Sequence, residues 1–132
     1  MDFQQLFQDF TQIRVAVLGD VMLDTYWWGQ VDRISPEAPV PVVALNKKEY
    51  RIGGAGNVAL NTASLGAQTT MISVIGDDAD GAMLTNMLRE AGIGVQTMLS
   101  TADRITTNKI RIIGRNQQMM RLDAEHTNDI DA

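Results

Sequence analysis

The 132-residue sequence contains no cysteine, three prolines and one histidine. The lack of cysteine excludes a disulfide framework and a thiolate metal site. No apolar run approaches the ~20 residues that a transmembrane helix needs, and the N-terminus lacks the basic region of a secretory signal. We therefore expect a cytoplasmic protein with no membrane partner.

Positive charge is scarce overall and unevenly distributed. The formal net charge is −5, yet the segment 104–121 contains several basic residues and no acidic one: Arg104, Lys109, Arg111, Arg115 and Arg121. An acidic protein that concentrates its bases in this way can present them to an anionic ligand. The alternative is a solvated strand face, and charge alone favours that alternative.

The stretch 52–76 organises the rest of the chain. Gly53 and Gly54 stand in a predicted loop before an apolar pattern that predicts a helix over 54–65. Glycines at a helix N-terminus allow a ligand to approach bare backbone N–H groups. Asn57 would add an amide from the first helical turn, so this loop is a candidate binding site.

The flanking sequence predicts an α/β domain with a parallel sheet. Asp20 comes directly after the first predicted strand, where ligands of open α/β sheets bind, and Asp24 comes four residues later. The alternative for Asp20 is a turn or capping aspartate. The predicted elements are an amphipathic helix at 3–10 that packs on the adjoining chain, strands at 15–18, 69–75 and 95–99, and a helix that starts at the capping aspartates 77–80 and ends at Gly92.

Two extended segments interrupt this α/β order. Prolines at 36, 39 and 41 exclude a helix in the first segment, which is rich in strand-forming residues from about 25 to 50. The second, about 105–122, predicts a β-hairpin with Lys109 and Arg111 on one face. We expect the two segments to form one small sheet that covers the glycine site.

The glycine stretch resembles the first signature of the ribokinase-like (PfkB-type) sugar kinases: GGAGNVA at 53–59, followed by glycines at 66 and 76. GDVMLD at 19–24, RISPEAPVPV at 33–42 and RNQQ at 115–118 resemble the heptose-7-phosphate kinase domains of bifunctional heptose kinase/adenylyltransferases. The resemblance covers residues 13–123. It implies an α/β, ribokinase-like three-layer sandwich with a parallel sheet core and a β lid, of which residues 1–132 would be the N-terminal part of a single domain.

The resemblance also implies an activity. Such kinases phosphorylate a sugar hydroxyl with ATP and Mg²⁺, here D-glycero-D-manno-heptose 7-phosphate at O1 in ADP-heptose synthesis for lipopolysaccharide. The residues that match the sugar-binding positions are Asp20, Asp24, Gly53, Gly54 and Asn57. Lys109, Arg111 and Arg115 would face the substrate phosphate. A homodimer through the lid is implied, and neither nucleic acid nor a protein-bound metal is expected.

The second signature of the family, a glycine-rich stretch with the catalytic aspartate, does not occur in these 132 residues. We therefore expect the general base beyond Ala132, with ATP and Mg²⁺ bound by the complete enzyme only, and we expect this chain, as a truncated form, to be inactive. The alternative is a non-catalytic sugar-phosphate-binding or dimerisation module left by truncation.

Overall fold

The computed structural model describes residues 2–130, which form three helices and seven strands. The helices are α1 (Phe3–Phe10), α2 (Ala55–Ser64) and α3 (Ala79–Glu90). The strands are β1 (Arg14–Leu18), β2 (Val21–Ile34), β3 (Pro41–Gly54), β4 (Gln68–Gly76), β5 (Gly94–Thr101), β6 (Asn108–Gly114) and β7 (Gln117–Ala124). Strands β1, β4 and β5 form a parallel sheet in the order β1-β4-β5, and the other strands form a mixed sheet in the order β3-β2-β6-β7.

One hydrophobic core joins the parallel sheet to α2 and α3. Met71 of β4, Ala59 of α2 and Leu84 of α3 are all fully buried in it, and burying a side chain such as leucine stabilises the fold by roughly 1.5–3 kcal/mol. The opposite face of the sheet is different, since Leu18 and Leu99 are 78% and 65% exposed. The helical layer that a three-layer sandwich has on that face is not among residues 2–130.

The two extended segments pair into one four-stranded sheet, as the sequence predicts. The first is longer than the expected 25–50, because β2 and β3 pair antiparallel all the way from Val21↔Gly54 to Ile34↔Pro41. Only two residues therefore separate the end of β1 from the β2–β3 hairpin, and α2 begins directly after the last residue of the hairpin. The hairpin of β6 and β7 covers 108–124 rather than 105–122.

The β6–β7 turn explains how the hairpin closes. Arg115 and Asn116 both have positive φ, 50° and 61°, as a two-residue type I′ turn requires. Strand β6 then pairs parallel with β2, which joins the hairpin to the first excursion.

Within the described residues, no helix is long and apolar enough to span a membrane.

Helix α1 forms as predicted, but the prediction that it packs against the part of the protein that follows it is wrong for the described residues. Asp2 caps the helix by accepting the N–H groups of Gln4 and Gln5, so its stability is partly local. None of its residues is buried, and Phe3 and Phe7 are more than half exposed.

Asp78 caps α3 and ties it to the segment that precedes β6. Its carboxylate accepts the backbone N–H groups of Gly81 and Thr106, each at 2.8 Å. The Thr106 hydroxyl in turn accepts the N–H of Gly76 at 3.0 Å. Burial raises the pKa of Asp78, but the hydrogen bonds outweigh it and hold that pKa below its ordinary value. The capping role expected of the aspartates at 77–80 is confirmed for Asp78.

We expect Asp78→Ala to lower the free energy of unfolding by about 2 kcal/mol, because it removes a helix cap and leaves the Thr106 N–H unpaired. Since the folded pKa lies below the unfolded one, this stabilisation is complete above the ordinary value of 3.8 and is lost as pH falls through the folded value. Urea unfolding at neutral pH and at about pH 3 should therefore show the difference from wild type shrinking in acid.

Asp77→Ala is the matched control for this prediction. Asp77 is exposed and precedes the cap, and its backbone N–H, which the substitution keeps, bonds to the carbonyl of Thr101. We expect little change in stability at either pH. An equal loss in both variants, or a loss in Asp78→Ala that does not depend on pH, would contradict the capping explanation.

Candidate functional site

The candidate site lies where the carboxyl end of β1 meets the N-terminus of α2. The carbonyl of Asp20 accepts the N–H of Ala55 at 2.9 Å, which holds the two ends together. Gly53 and Gly54 are the last residues of β3 and not a loop as predicted, because the pairing of Val21 with Gly54 carries the ladder up to the helix. The helix therefore starts from a fixed strand end.

Steric constraints require glycine at positions 53 and 54. Gly54 adopts φ 59° and ψ −136°, and a Cβ at this position would collide with the carbonyl of Asp20. Gly53 is buried, and a Cβ there would collide with the carboxylate of Asp24. Both glycines thus allow the strand end to approach the residues after β1, whether or not a ligand binds their backbone.

Asp20 and Asn57 are open to a ligand at this corner. Asn57 lies in the first turn of α2, and both side chains are exposed. Across residues 2–130 neither side chain has a hydrogen-bond partner. No side chain caps α2; the N–H of Ala55 is taken by the carbonyl of Asp20, and the positive end of the helix dipole lies at this corner. A carboxylate and an amide without partners together suit a polyhydroxylated ligand.

Asp24 is not a free carboxylate. It forms a hydrogen-bonded ion pair with the guanidinium of Arg111 on the neighbouring strand β6, and this bond raises the pKa of Arg111. The guanidinium groups of Arg111 and Arg51 lie over the ring of Tyr26, at 5.3 and 4.7 Å from its centroid. Asp24 and Arg111, both predicted to contact the ligand, are therefore bonded to each other.

Lys109 is paired as well. Its ammonium group lies 2.9 Å from the carboxylate of Glu125 and 3.2 Å from that of Asp123, and the bond to Glu125 is the main cause that raises its pKa. Asp123 also pairs with Arg121 at 2.9 Å. The basic face suggested by the charge distribution is thus neutralised by acids of neighbouring strands and of the segment after β7.

Arg115 lies far from Asp20 and Asn57. It stands in the β6–β7 turn, where its guanidinium donates two hydrogen bonds, of 2.7 and 3.1 Å, to the carbonyl of Val31. The register from Leu23↔Asn108 to Gly29↔Gly114 places this end of the sheet about 20 Å from its base, at ~3.3 Å per residue. The structure does not bring Arg115 to the candidate site.

A buried polar chain that sequence reasoning missed anchors the four-stranded sheet to α3. The hydroxyl of Thr25 donates to the side-chain carbonyl of Asn108 at 2.8 Å, and the amide of Asn108 donates to the carboxylate of Asp80 at 2.8 Å. Thr25 and Asn108 are only 1% and 5% exposed. These partners lie up to 83 positions apart, so no local pattern could reveal them.

A cavity of about 480 Å³ opens beside Asp20, within the usual size range of small-molecule sites. The segment after β7 forms part of its wall, including His126, to which no sequence motif assigns a role. Among the side chains that line it are Asp20, Met22, Arg104, Glu125 and His126. The cavity therefore combines carboxylates, an arginine and apolar surface at the end of β1.

Solved structures share this fold. A carbohydrate kinase from Agrobacterium tumefaciens matches with a TM-score of 0.70 and 24% identity, over 84% of this chain and 35% of that chain. A ribokinase from Arabidopsis thaliana, solved in complex with ribose and ATP, matches with a TM-score of 0.68 and 18% identity, over the same shares of the two chains. The arrangement is the ribokinase-like fold that the sequence resemblance implies.

Sequence comparison defines the family. Residues 12–132 match the pfkB family of carbohydrate kinases, and the chain belongs to that family. It is 45% identical over 131 residues to the bifunctional protein HldE of Citrifermentans bemidjiense and 54% identical over 112 residues to a D-beta-D-heptose 7-phosphate kinase of Bordetella bronchiseptica. These matches cover 99% and 85% of this chain but 27% and 36% of the two relatives, so the chain spans about a third of their length or less.

Proposed function

We propose that this chain forms the sugar-binding part of an ATP-dependent kinase that phosphorylates D-glycero-D-manno-heptose 7-phosphate at O1, in the synthesis of ADP-heptose for the lipopolysaccharide core. The observation that carries the proposal is the placement of Asp20 and Asn57, both exposed, where β1 ends and α2 begins. The similarity to heptose 7-phosphate kinases supports the choice of sugar.

The proposed roles rest on hydrogen-bond chemistry. The Asp20 carboxylate accepts bonds from sugar hydroxyls, and the Asn57 amide can donate and accept. The backbone at Gly53 and Gly54 comes close to the same corner. A bound sugar that covers these groups and leaves one unpaired loses about 1–3 kcal/mol, so this set would discriminate between sugars by their hydroxyl pattern. The four-stranded sheet would act as a lid over the bound sugar.

ATP and Mg²⁺ belong to the proposal for the complete kinase. Phosphoryl transfer needs a base for the attacking hydroxyl and donors for the developing charge. Nowhere in residues 2–130 do three His, Asp or Glu side chains come close enough together to hold a metal ion, so we assign no step to a metal here. We propose that these residues bind the sugar phosphate and do not transfer phosphate by themselves.

We expect Asn57→Ala to weaken binding of heptose 7-phosphate to the 132-residue chain by about tenfold, which corresponds to ~1.4 kcal/mol. The variant loses one amide that bonds a hydroxyl, and titration calorimetry measures the change. Asn61→Ala is the control, since Asn61 is exposed on the same helix but beyond its first turn. Unchanged binding in Asn57→Ala removes this residue from the site, and a wild-type chain that binds no sugar phosphate contradicts the proposed function.

The second candidate is a dimerisation module, which the surface of the four-stranded sheet favours. Trp27 and Trp28 are half-buried, and their buried indole N–H groups have no partner among residues 2–130. Several apolar side chains of the sheet stay exposed, namely Ile34, Leu45, Met119, Met120 and Leu122. Such surface often marks an interface, so we propose that two copies associate through this sheet. A monomeric mass in sedimentation at micromolar concentration would count against it.

A further inference from the structure

The connection between β5 and β6 brings one arginine to the same cavity as Asp20. Arg104 is half-buried and lines the cavity of about 480 Å³ together with Asp20 and His126. The cavity lies at the carboxyl end of β1, the side of an α/β sheet where ligands bind. Arg104 is therefore a cation on the wall of the cavity that opens beside Asp20 of the candidate sugar site.

Arg104 forms no salt bridge within the described part of the chain, although the carboxylates of Asp20, Glu125 and Asp129 line the same cavity. Its guanidinium makes one long hydrogen bond, 3.4 Å, to the carbonyl of His126. Lys109 and Arg111 differ, because each would have to exchange a bound carboxylate for a new anion. Arg104 can accept an anion without that exchange.

The backbone at Arg104 is held in place. A Cβ at Gly76 would lie 2.6 Å from the carbonyl oxygen of Arg104 and 2.7 Å from the N–H nitrogen of Thr106, so this segment packs directly on the end of β4. Two residues after Arg104, Thr106 is bound by Asp78 and by Gly76. These contacts fix the start of the side chain at the cavity wall, which lowers the ordering cost of binding.

We infer that Arg104, rather than a cation of the four-stranded sheet, binds the phosphate group of the sugar phosphate; this inference rests on the proposed function. A guanidinium can bond two oxygens of one phosphate at once. Asp20, on the same cavity, repels a phosphate but accepts hydroxyl hydrogen bonds. Arg104 and Asp20 thus orient the substrate, with the phosphate towards Arg104 and the hydroxyls towards Asp20.

The test compares heptose 7-phosphate with the unphosphorylated heptose by titration calorimetry on the 132-residue chain. The variants are Arg104→Gln, Arg104→Lys and Arg111→Gln, with circular dichroism to confirm folding. We expect Arg104→Gln to weaken binding of the phosphorylated sugar by about tenfold or more and to leave the unphosphorylated sugar within about twofold of wild type. Arg104→Lys keeps the positive charge but cannot bond two phosphate oxygens with one planar group. We therefore expect a smaller loss of affinity, again only for the phosphorylated sugar.

The remaining outcomes overturn the inference in distinguishable ways. If Arg104→Gln weakens both sugars equally or neither, or if it fails to fold and Arg104→Lys shows no phosphate-specific loss, Arg104 does not bind the phosphate. If the phosphate-specific loss appears in Arg111→Gln instead, the four-stranded sheet supplies the phosphate site. If the wild-type chain binds neither sugar, the proposed function itself fails and the inference fails with it.

Discussion

A Gly54→Ala variant is expected to lose about 3 kcal/mol or more of unfolding free energy, and to lose the proposed sugar-phosphate binding as well. The φ and ψ angles of Gly54 lie in a region that other residues occupy at a cost of about 1–3 kcal/mol. In addition, the new Cβ would collide with the carbonyl of Asp20, which is backbone and is itself bonded to Ala55. Relief of the collision requires β3 and α2 to move away from β1.

Gly92→Ala is the matched control, because it separates backbone strain from collision. Gly92 has φ 75°, yet a Cβ there would meet no atom within 4 Å. We expect a loss of about 1 kcal/mol, from conformational strain alone. Urea unfolding of both variants measures the difference. Similar losses at the two positions would show that the contact with Asp20 is unimportant for stability.

An Asn108→Ala variant is expected to lose about 3 kcal/mol of unfolding free energy. The substitution leaves the buried hydroxyl of Thr25 without its acceptor, and an unpaired buried group costs about 1–3 kcal/mol. It also removes the amide donor of the half-buried Asp80 carboxylate. The four-stranded sheet should also become more mobile relative to α3, which hydrogen exchange of the β2 and β6 amides can detect.

A double-mutant cycle makes this expectation sharper. Thr25→Val removes the hydroxyl while keeping the shape, so the unpaired donor disappears. In the double variant the loss should therefore be smaller than the sum of the two single losses, by about 1 kcal/mol. Strict additivity in urea unfolding would mean that Thr25 and Asn108 do not act as a coupled pair.

Local sequence patterns were sufficient for most of the elements. The period of Met83, Leu84, Met87 and Leu88 indicates a helix that ends at Gly92. The structure confirms the helix, whose last residue is Glu90, and Gly92 follows it with a positive φ. The prolines at 36–41 indicate an extended excursion, which is observed. These predictions succeed because helix periodicity, proline geometry and glycine φ act over a few neighbouring residues.

The contacts of the candidate site needed the tertiary structure. From the sequence, Asp24, Lys109 and Arg111 are equally plausible ligand-binding groups, because nothing nearby in the chain offers them partners. Strand pairing brings Asp24 beside Arg111 and Lys109 beside Asp123, and these pairs use charges that would otherwise be available for a substrate. Which acidic and basic side chains become neighbours depends on the register of the paired strands. The register is determined by the hydrophobic pattern and the turns of the whole sheet.

The sequence alone predicted the kinase family, and comparison confirms it. It also predicted the two extended excursions, and its motifs identified Asp20 and Asn57 as candidate site residues. Only the folded chain reveals that Gly54 must be small because it touches Asp20, that Arg104 lines the cavity beside Asp20, and that Asn108 anchors the four-stranded sheet. The difference is one of distance along the chain: motifs and periods are local, whereas steric contact, ion pairing and buried hydrogen bonds join residues that only the packed sheets bring together.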